Sequence, residues 1–208
     1  MKRAFVDVEA SGLRADWHEL IQLSGIVENE EFNLFCRLRH PERADPESLR
    51  VIGKTIDEIM SYPEPEETFF SFIKLLERYA DKYTKGNKIN VYAFNAAYDY
   101  DFIHSFFRLY SPRTGDEVYP QKYYPANFFS KVPCCLLQAY RFTADLGKLP
   151  VPPNYKLKTL CEIHGIKLDA HNALSDALAT RELYKIIRRK HGLEFDCDDR
   201  NPYLPGVA

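Results

Sequence analysis

Residues 3–12, RAFVDVEASG, place two carboxylates, Asp7 and Glu9, at the end of a β-prone run that closes on Ser11 and Gly12. Arg3 to Val8 reads as a strand ending in a turn. Side chains two apart on a strand share a face, so Asp7 and Glu9 point the same way while Val6 and Val8 serve the opposite, buried side. Ionised neighbours there repel unless a cation or a proton intervenes. An isolated DxE is more often a solvated strand end than a site, so its meaning rests on what the remaining chain brings to it.

Working outward, two further apolar runs, Leu20 to Val27 and Phe32 to Leu38, flank the polar stretch Glu28 to Glu31 and complete a three-stranded meander. Pro46 to Met60 reads as short helices around Gly53. Glu66 to Tyr83 carries Phe69, Phe72, Ile73, Leu76 and Tyr79 at the spacing of an amphipathic helix. A fourth strand, Ile89 to Phe94, leads into a helix from about Asp99 to Tyr110. Ser111 to Pro125, rich in Pro, Gly, Tyr and charge, is read as a long loop or insertion. Asn127 to Val132 supplies a short fifth strand, Cys134 to Asp145 a helix, and LGKLPVPPNY a rigid connection. Helices over Leu157 to His164 and Ala173 to Lys190 close the domain. Strands first, then strands alternating with helices, imply an α/β fold with a mixed rather than wholly parallel five-stranded sheet.

Two more segments carry acids. In FNAAYD, residues 94–99, a strand turns into a helix and Asp99 stands at the helix start, where an acid is also a common dipole partner. In HNALSD, residues 171–176, His171 precedes the last strong helix and can fold back over its first turn toward Asp176. Alone, each has an ordinary structural explanation.

Together, Asp7, Glu9, Asp99 and Asp176, with His171 five residues before the last, resemble the DEDDh branch of the DnaQ-type 3′→5′ exonucleases, whose fold is ribonuclease H-like. ESLRVIGKTIDEI is similar to the short helical segment after the third strand of that family, and YKLKTLCEIHGIKLDAHNALSDALAT to its third motif and lead-in. AHNALSDALAT and the long insertion further resemble the nuclease domain of exonuclease I, a single-strand DNA enzyme. The sequence departs from the family at Ala10, where many members have Thr, and at Phe94, where many have His; neither position is a metal ligand in the family. The departures bear on substrate preference more than on activity.

The resemblance implies phosphodiester hydrolysis with two divalent ions, Mg²⁺ or Mn²⁺, about 3.5–4 Å apart. Asp7 would bridge both ions, Glu9 and Asp176 would complete the site of the ion holding the nucleophilic water, and Asp99 would serve the second. His171 would be the general base. The backbone of Ala10, Ser11, Gly12 and Leu13 would run along the terminal sugar and base, with Leu13 as an apolar wedge or a turn-packing residue, and Asn95 and Tyr98 nearby. Tyr119, Tyr123 and Tyr124 in the insertion are the aromatics expected to meet bases, whereas Phe102 and Phe106 are expected in the core. The partner implied is single-stranded nucleic acid, DNA ahead of RNA. RNA trimming and a polymerase-accessory or nucleic-acid-binding role are the alternatives. The exonuclease domain would span residues 1–192, with the insertion at about 111–126 and a tail over 193–208.

Composition suits one compact globular domain, or one plus a small appendage. The 208 residues are 45% hydrophobic and 28% charged, with a formal charge of −2 that alone argues against a nucleic-acid-coating protein. That total hides an asymmetry: residues 1–104 carry 13 basic and 19 acidic groups, residues 105–208 carry 15 and 11. Aromatics are dense from Tyr92 to Phe142, where 15 of the 29 fall, interleaved with Arg108, Arg113, Lys122, Lys131 and Arg141. Five cysteines without CxxC spacing suggest neither a disulfide framework nor a zinc site. His18, His40, His104, His164 and His191 lack ligand-like spacing and are read as structural or surface. No apolar run approaches bilayer length, so no membrane association and a cytosolic (cytoplasmic) location are expected.

Overall fold

A computed structural model describes residues 2–81, 84, 86–130, 133–169 and 172–191 of the chain. His171, Lys131 and the expected tail 193–208 lie outside the described residues. β1 (Lys2–Ala10) occupies the middle of a five-stranded mixed sheet ordered β3-β2-β1-β4-β5. β2 (Leu20–Val27) runs antiparallel to it, β3 (Glu30–Phe35) antiparallel to β2, and β4 (Ile89–Ala93) parallel on the other side. The mixed sheet expected from the order of elements is present.

The central place of β1 follows from its two faces. Ala4, Val6 and Val8 pack beneath α3 (Pro65–Tyr79) and α4 (Ala96–Tyr110), against Phe69, Phe72, Phe102, Phe106 and Phe107. Fully burying each such ring contributes roughly 2–3 kcal/mol relative to leaving it in water. Phe5 faces the other way. It stacks on Tyr92 with ring centroids 5.0 Å apart and meets Tyr184 of α8 (Ala173–His191) at 5.3 Å. Leu136 and Tyr140 of α6 (Leu136–Asp145) complete that layer. Two and four residues beyond Phe5 on the same face come Asp7 and Glu9.

Between β3 and α3 lie a 3-10 turn (Pro41–Arg43), α1 (Pro46–Ile52) and α2 (Ile56–Met60), the pair of short helices expected around Gly53. Asp45 caps α1 through the Glu47 N–H at 3.2 Å, and Gly53, with φ of 67°, ends it in the left-handed region that favours glycine. α7 (Leu157–His164) precedes α8.

Two expectations need correcting. Asn127 to Val132 does not form the fifth strand. Pro125 presets the first turn of α5 (Pro125–Phe128), and Asn127 closes it by accepting from the Tyr124 N–H at 2.6 Å. Among the described residues of that stretch, an isolated parallel bridge, Phe129 to Ile89, remains. The strand is instead β5 (Cys134–Cys135), parallel to β4 through Tyr92–Cys134 and Ala93–Cys135, and α6 starts after it. α4 begins at Ala96, ahead of the expected start, which puts Asp99 inside its first turn.

Candidate active site

Three elements deliver the acids. β1 brings Asp7 and Glu9; its ladder with β2 is regular until a bulge between Glu9 and Ala10, where Glu9 faces Gln22 but Ala10 faces Leu20. Such bulges re-aim strand ends beside sites. α8 brings Asp176 from its first turn, where the Asp176 N–H donates to the Asn172 carbonyl at 2.9 Å and Asn172 Oδ1 accepts from the Ser175 N–H at 3.4 Å. Asp7, Glu9 and Asp176 each offer a carboxylate oxygen within 4.8 Å of the others.

Asp99 arrives from α4 by a different route. Its side chain is 4% exposed, and Oδ1 accepts from the Val8 N–H at 3.0 Å, on the edge of β1 that β4 leaves open after Phe5–Tyr92. The four acids expected from sequence therefore share one end of the sheet, three as a cluster and the fourth clamped to the strand that carries two of them.

The electrostatics are those of a site short of positive charge. Asp7 is held well above the ordinary carboxylate range by burial, then by the charges of Asp99, Asp176 and Glu9. Burial and Asp176 raise Glu9 to about 7, with Lys54 pulling the other way. Burial raises Asp99 to about 7 against the opposing pull of the Val8 N–H and its own backbone N–H. Oxygen-only donors at this spacing fit a hard divalent cation, whose charge relieves the repulsion and keeps all the carboxylates ionised.

Ser11 N–H donates to the Glu19 carbonyl and Ser11 Oγ accepts from the Glu19 N–H, both at 2.9 Å, so Ser11 fastens the base of the loop that follows β1. Ala10 and Gly12 are buried, whereas Leu13 is 77% exposed at the loop crest, which disfavours the turn-packing reading. The Tyr98 hydroxyl donates to the Gly12 carbonyl at 3.1 Å, and Asn95 is exposed at the start of α4 with no side-chain capping bond. Among the insertion aromatics, Tyr119 is 68% exposed, but Tyr123 is buried in the core beside Phe69 and Phe128, so its expected role against bases is corrected. Tyr124 is half-buried, its hydroxyl accepting from the Gln121 N–H at 3.0 Å. Phe102 and Phe106 are core residues, as expected.

Two residues of this region carry no sequence signal. Buried Glu19 accepts from the N–H groups of Arg39 and His40 at 3.0 and 2.8 Å, tying the loop to the segment after β3. Lys54, whose Nζ donates to Glu58 and Tyr62 at 2.8 Å, is the cation that opposes the rise of Glu9. A lone acid before a strand and a lysine in a helix-linking turn are too common in sequences to stand out.

No family model and no curated protein matches the chain. Solved structures do. E. coli exonuclease I in complex with a dT13 oligonucleotide superposes with a TM-score of 0.71 at 18% identity, over 92% of this chain and 42% of that one. This is an exonuclease I fold. The product-bound exonuclease I matches with a TM-score of 0.69 at 17% identity over 92% of this chain and 44% of its own, and a zinc-bound complex of E. coli exonuclease I with single-stranded DNA with 0.69 at 17% over 92% and 41%. The chain thus spans about two fifths of the length of the exonuclease I chains it matches.

Proposed function

We propose that the chain is a metal-dependent 3′→5′ exonuclease that removes nucleoside 5′-monophosphates from single-stranded DNA. The observation that carries this reading is the convergence of Asp7, Glu9 and Asp176 within 4.8 Å, with Asp99 bonded to Val8 beside them, on an exonuclease I fold. Asp7, Glu9 and Asp176 would hold divalent ions, with Asp99 completing the set. Bound there, Mg²⁺ or Mn²⁺ neutralises the phosphate and acidifies an attacking water.

The chain's own residues do the rest. The three clustered acids, half-buried on β1 and α8, and buried Asp99, bonded to Val8, are held in place by the elements that carry them, so their orientation survives between turnovers. His171 takes the proton of the attacking water, a role suited to an imidazole with an ordinary pKa of about 6.5. Ala10, Gly12 and Leu13 border the terminal nucleotide, with exposed Leu13 against its base and Asn95 and Tyr98 beside the sugar. Tyr119, open at the crest of the insertion, offers a stacking face further along the strand.

Matched DNA and RNA oligonucleotides labelled at the 5′ end, digested with Mg²⁺, Mn²⁺ or EDTA, test the proposal. Metal-dependent shortening of the DNA from its 3′ end is expected, and so is loss of that ladder in His171→Ala. Full activity in EDTA or in His171→Ala overturns the assignment, and preferential digestion of RNA overturns the substrate.

A further inference from the structure

Gly12 is met by two side chains, Tyr98 and His18. Its carbonyl accepts from the Tyr98 hydroxyl at 3.1 Å, while the His18 ring lies so close over its α-carbon that a Cβ added to Gly12 would overlap three ring atoms. Gly12 is not among the glycines with positive φ, so backbone conformation does not demand glycine there. Space beneath the imidazole does.

His18 is itself held. Its N–H donates to the Arg14 carbonyl at 2.7 Å, and its Nδ1 accepts from the Arg14 N–H at 3.1 Å, which places the neutral ring's proton on Nε2. The Trp17 N–H joins the Arg14 carbonyl at 3.0 Å, and Ser11 and Glu19 close the loop beneath. The ring thereby does two jobs, clipping the turn from Arg14 to His18 and seating Gly12 against Tyr98. Leu13, next to Gly12, projects into solvent with little lateral packing of its own.

We propose that His18 is a positioning residue for the 3′-terminal nucleotide, setting through Gly12 the height and direction of Leu13. This rests on the reading above that the strand's end lies along residues 10–13. His18 touches neither the carboxylates nor the reacting phosphate in this scheme, so its loss acts on capture of the strand end more than on hydrolysis.

The test compares His18→Ala, Gly12→Ala and the double variant in the full chain, with two readouts: KM and kcat on a 5′-labelled single-stranded DNA with Mn²⁺, and the rate of tryptic cleavage after Arg14 followed by mass spectrometry. His18→Ala is expected to raise KM about tenfold with kcat within about threefold, and to speed cleavage after Arg14 about tenfold. Gly12→Ala, whose Cβ would displace the His18 ring, is expected to behave alike, and the double variant to be no worse than Gly12→Ala, because His18→Ala removes the ring that this Cβ would overlap. Unchanged KM in His18→Ala overturns the positioning role, unchanged cleavage overturns the clip, and additive damage in the double variant overturns the link between them. If the unmodified protein digests no DNA, the proposed function fails and the positioning role with it, while the cleavage rates still report whether His18 clips the loop.

Discussion

Asp7 concentrates the tension of the site in one side chain, because burial and three neighbouring carboxylates all oppose its ionisation. The sign of the pH dependence follows. Glu9 and Asp99 hold their protons to about 7 in the folded protein, whereas an unfolded chain releases them near pH 4. Across that window the folded state binds more protons, so the metal-free protein loses stability as pH rises. Melting temperatures in EDTA should therefore fall from pH 5 to pH 8, and Mn²⁺ should raise them more at pH 8 than at pH 5. Asp7→Asn should flatten this slope and raise the metal-free melting temperature at pH 8, while lowering nuclease activity by about a thousandfold or more. A melting temperature that climbs with pH in EDTA contradicts the whole scheme. The acids were legible in the sequence because period-2 geometry puts Asp7 and Glu9 on one face and because the segments around Asp99 and Asp176 resemble a known family's motifs. Glu19 and His18 were not, since their roles consist of contacts to backbone groups of distant or turned segments, which leave no pattern in side-chain order.

At the scale of elements, α8 is the member that must be placed accurately, for it carries Asp176. Tyr184, two turns along, docks it on the sheet with its ring 5.3 Å from Phe5 and 4.9 Å from Tyr92. Its hydroxyl is buried with no hydrogen-bond partner among the described residues, so the ring and not the phenol holds the helix. Tyr184→Phe should be neutral or stabilising by up to about 1 kcal/mol, whereas Tyr184→Ala should cost about 3–5 kcal/mol and weaken Mn²⁺ binding, as denaturant unfolding and calorimetric titration would register. A Tyr184→Phe variant as damaged as Tyr184→Ala would instead assign the hydroxyl a partner. Helices and long strands could be read from periodicity, but β5 has two residues, fewer than any alternation needs to register. Tyr123 and Tyr124 illustrate a second limit. Adjacent residues in an aperiodic insertion look alike, yet the Ser111 Oγ accepting from the Tyr123 N–H at 2.8 Å helps turn one ring into the core and leaves the other half-exposed.

For the molecule as a whole, a net charge of −2 coexists with a C-terminal half richer in cations than acids. Strand binding should then be local and salt-sensitive. Anisotropy of a labelled oligonucleotide with Asp7→Asn should give a log affinity against log salt slope of about −2 to −4, the value for three to five phosphates on a single strand. A slope near zero would mean that backbone phosphates are not engaged. The site draws its acids from positions 7, 9, 99 and 176, so it exists only once β1, α4 and α8 have come together. The bond from the Val8 N–H to Asp99 gives that event a marker. In β1 this amide faces the edge that β4 leaves open after Phe5, and a carboxylate belonging to the site fills the gap. One amide proton, followed by deuterium exchange, thus acts as a clock for the seating of Asp99, ticking faster whenever the fourth acid leaves its place.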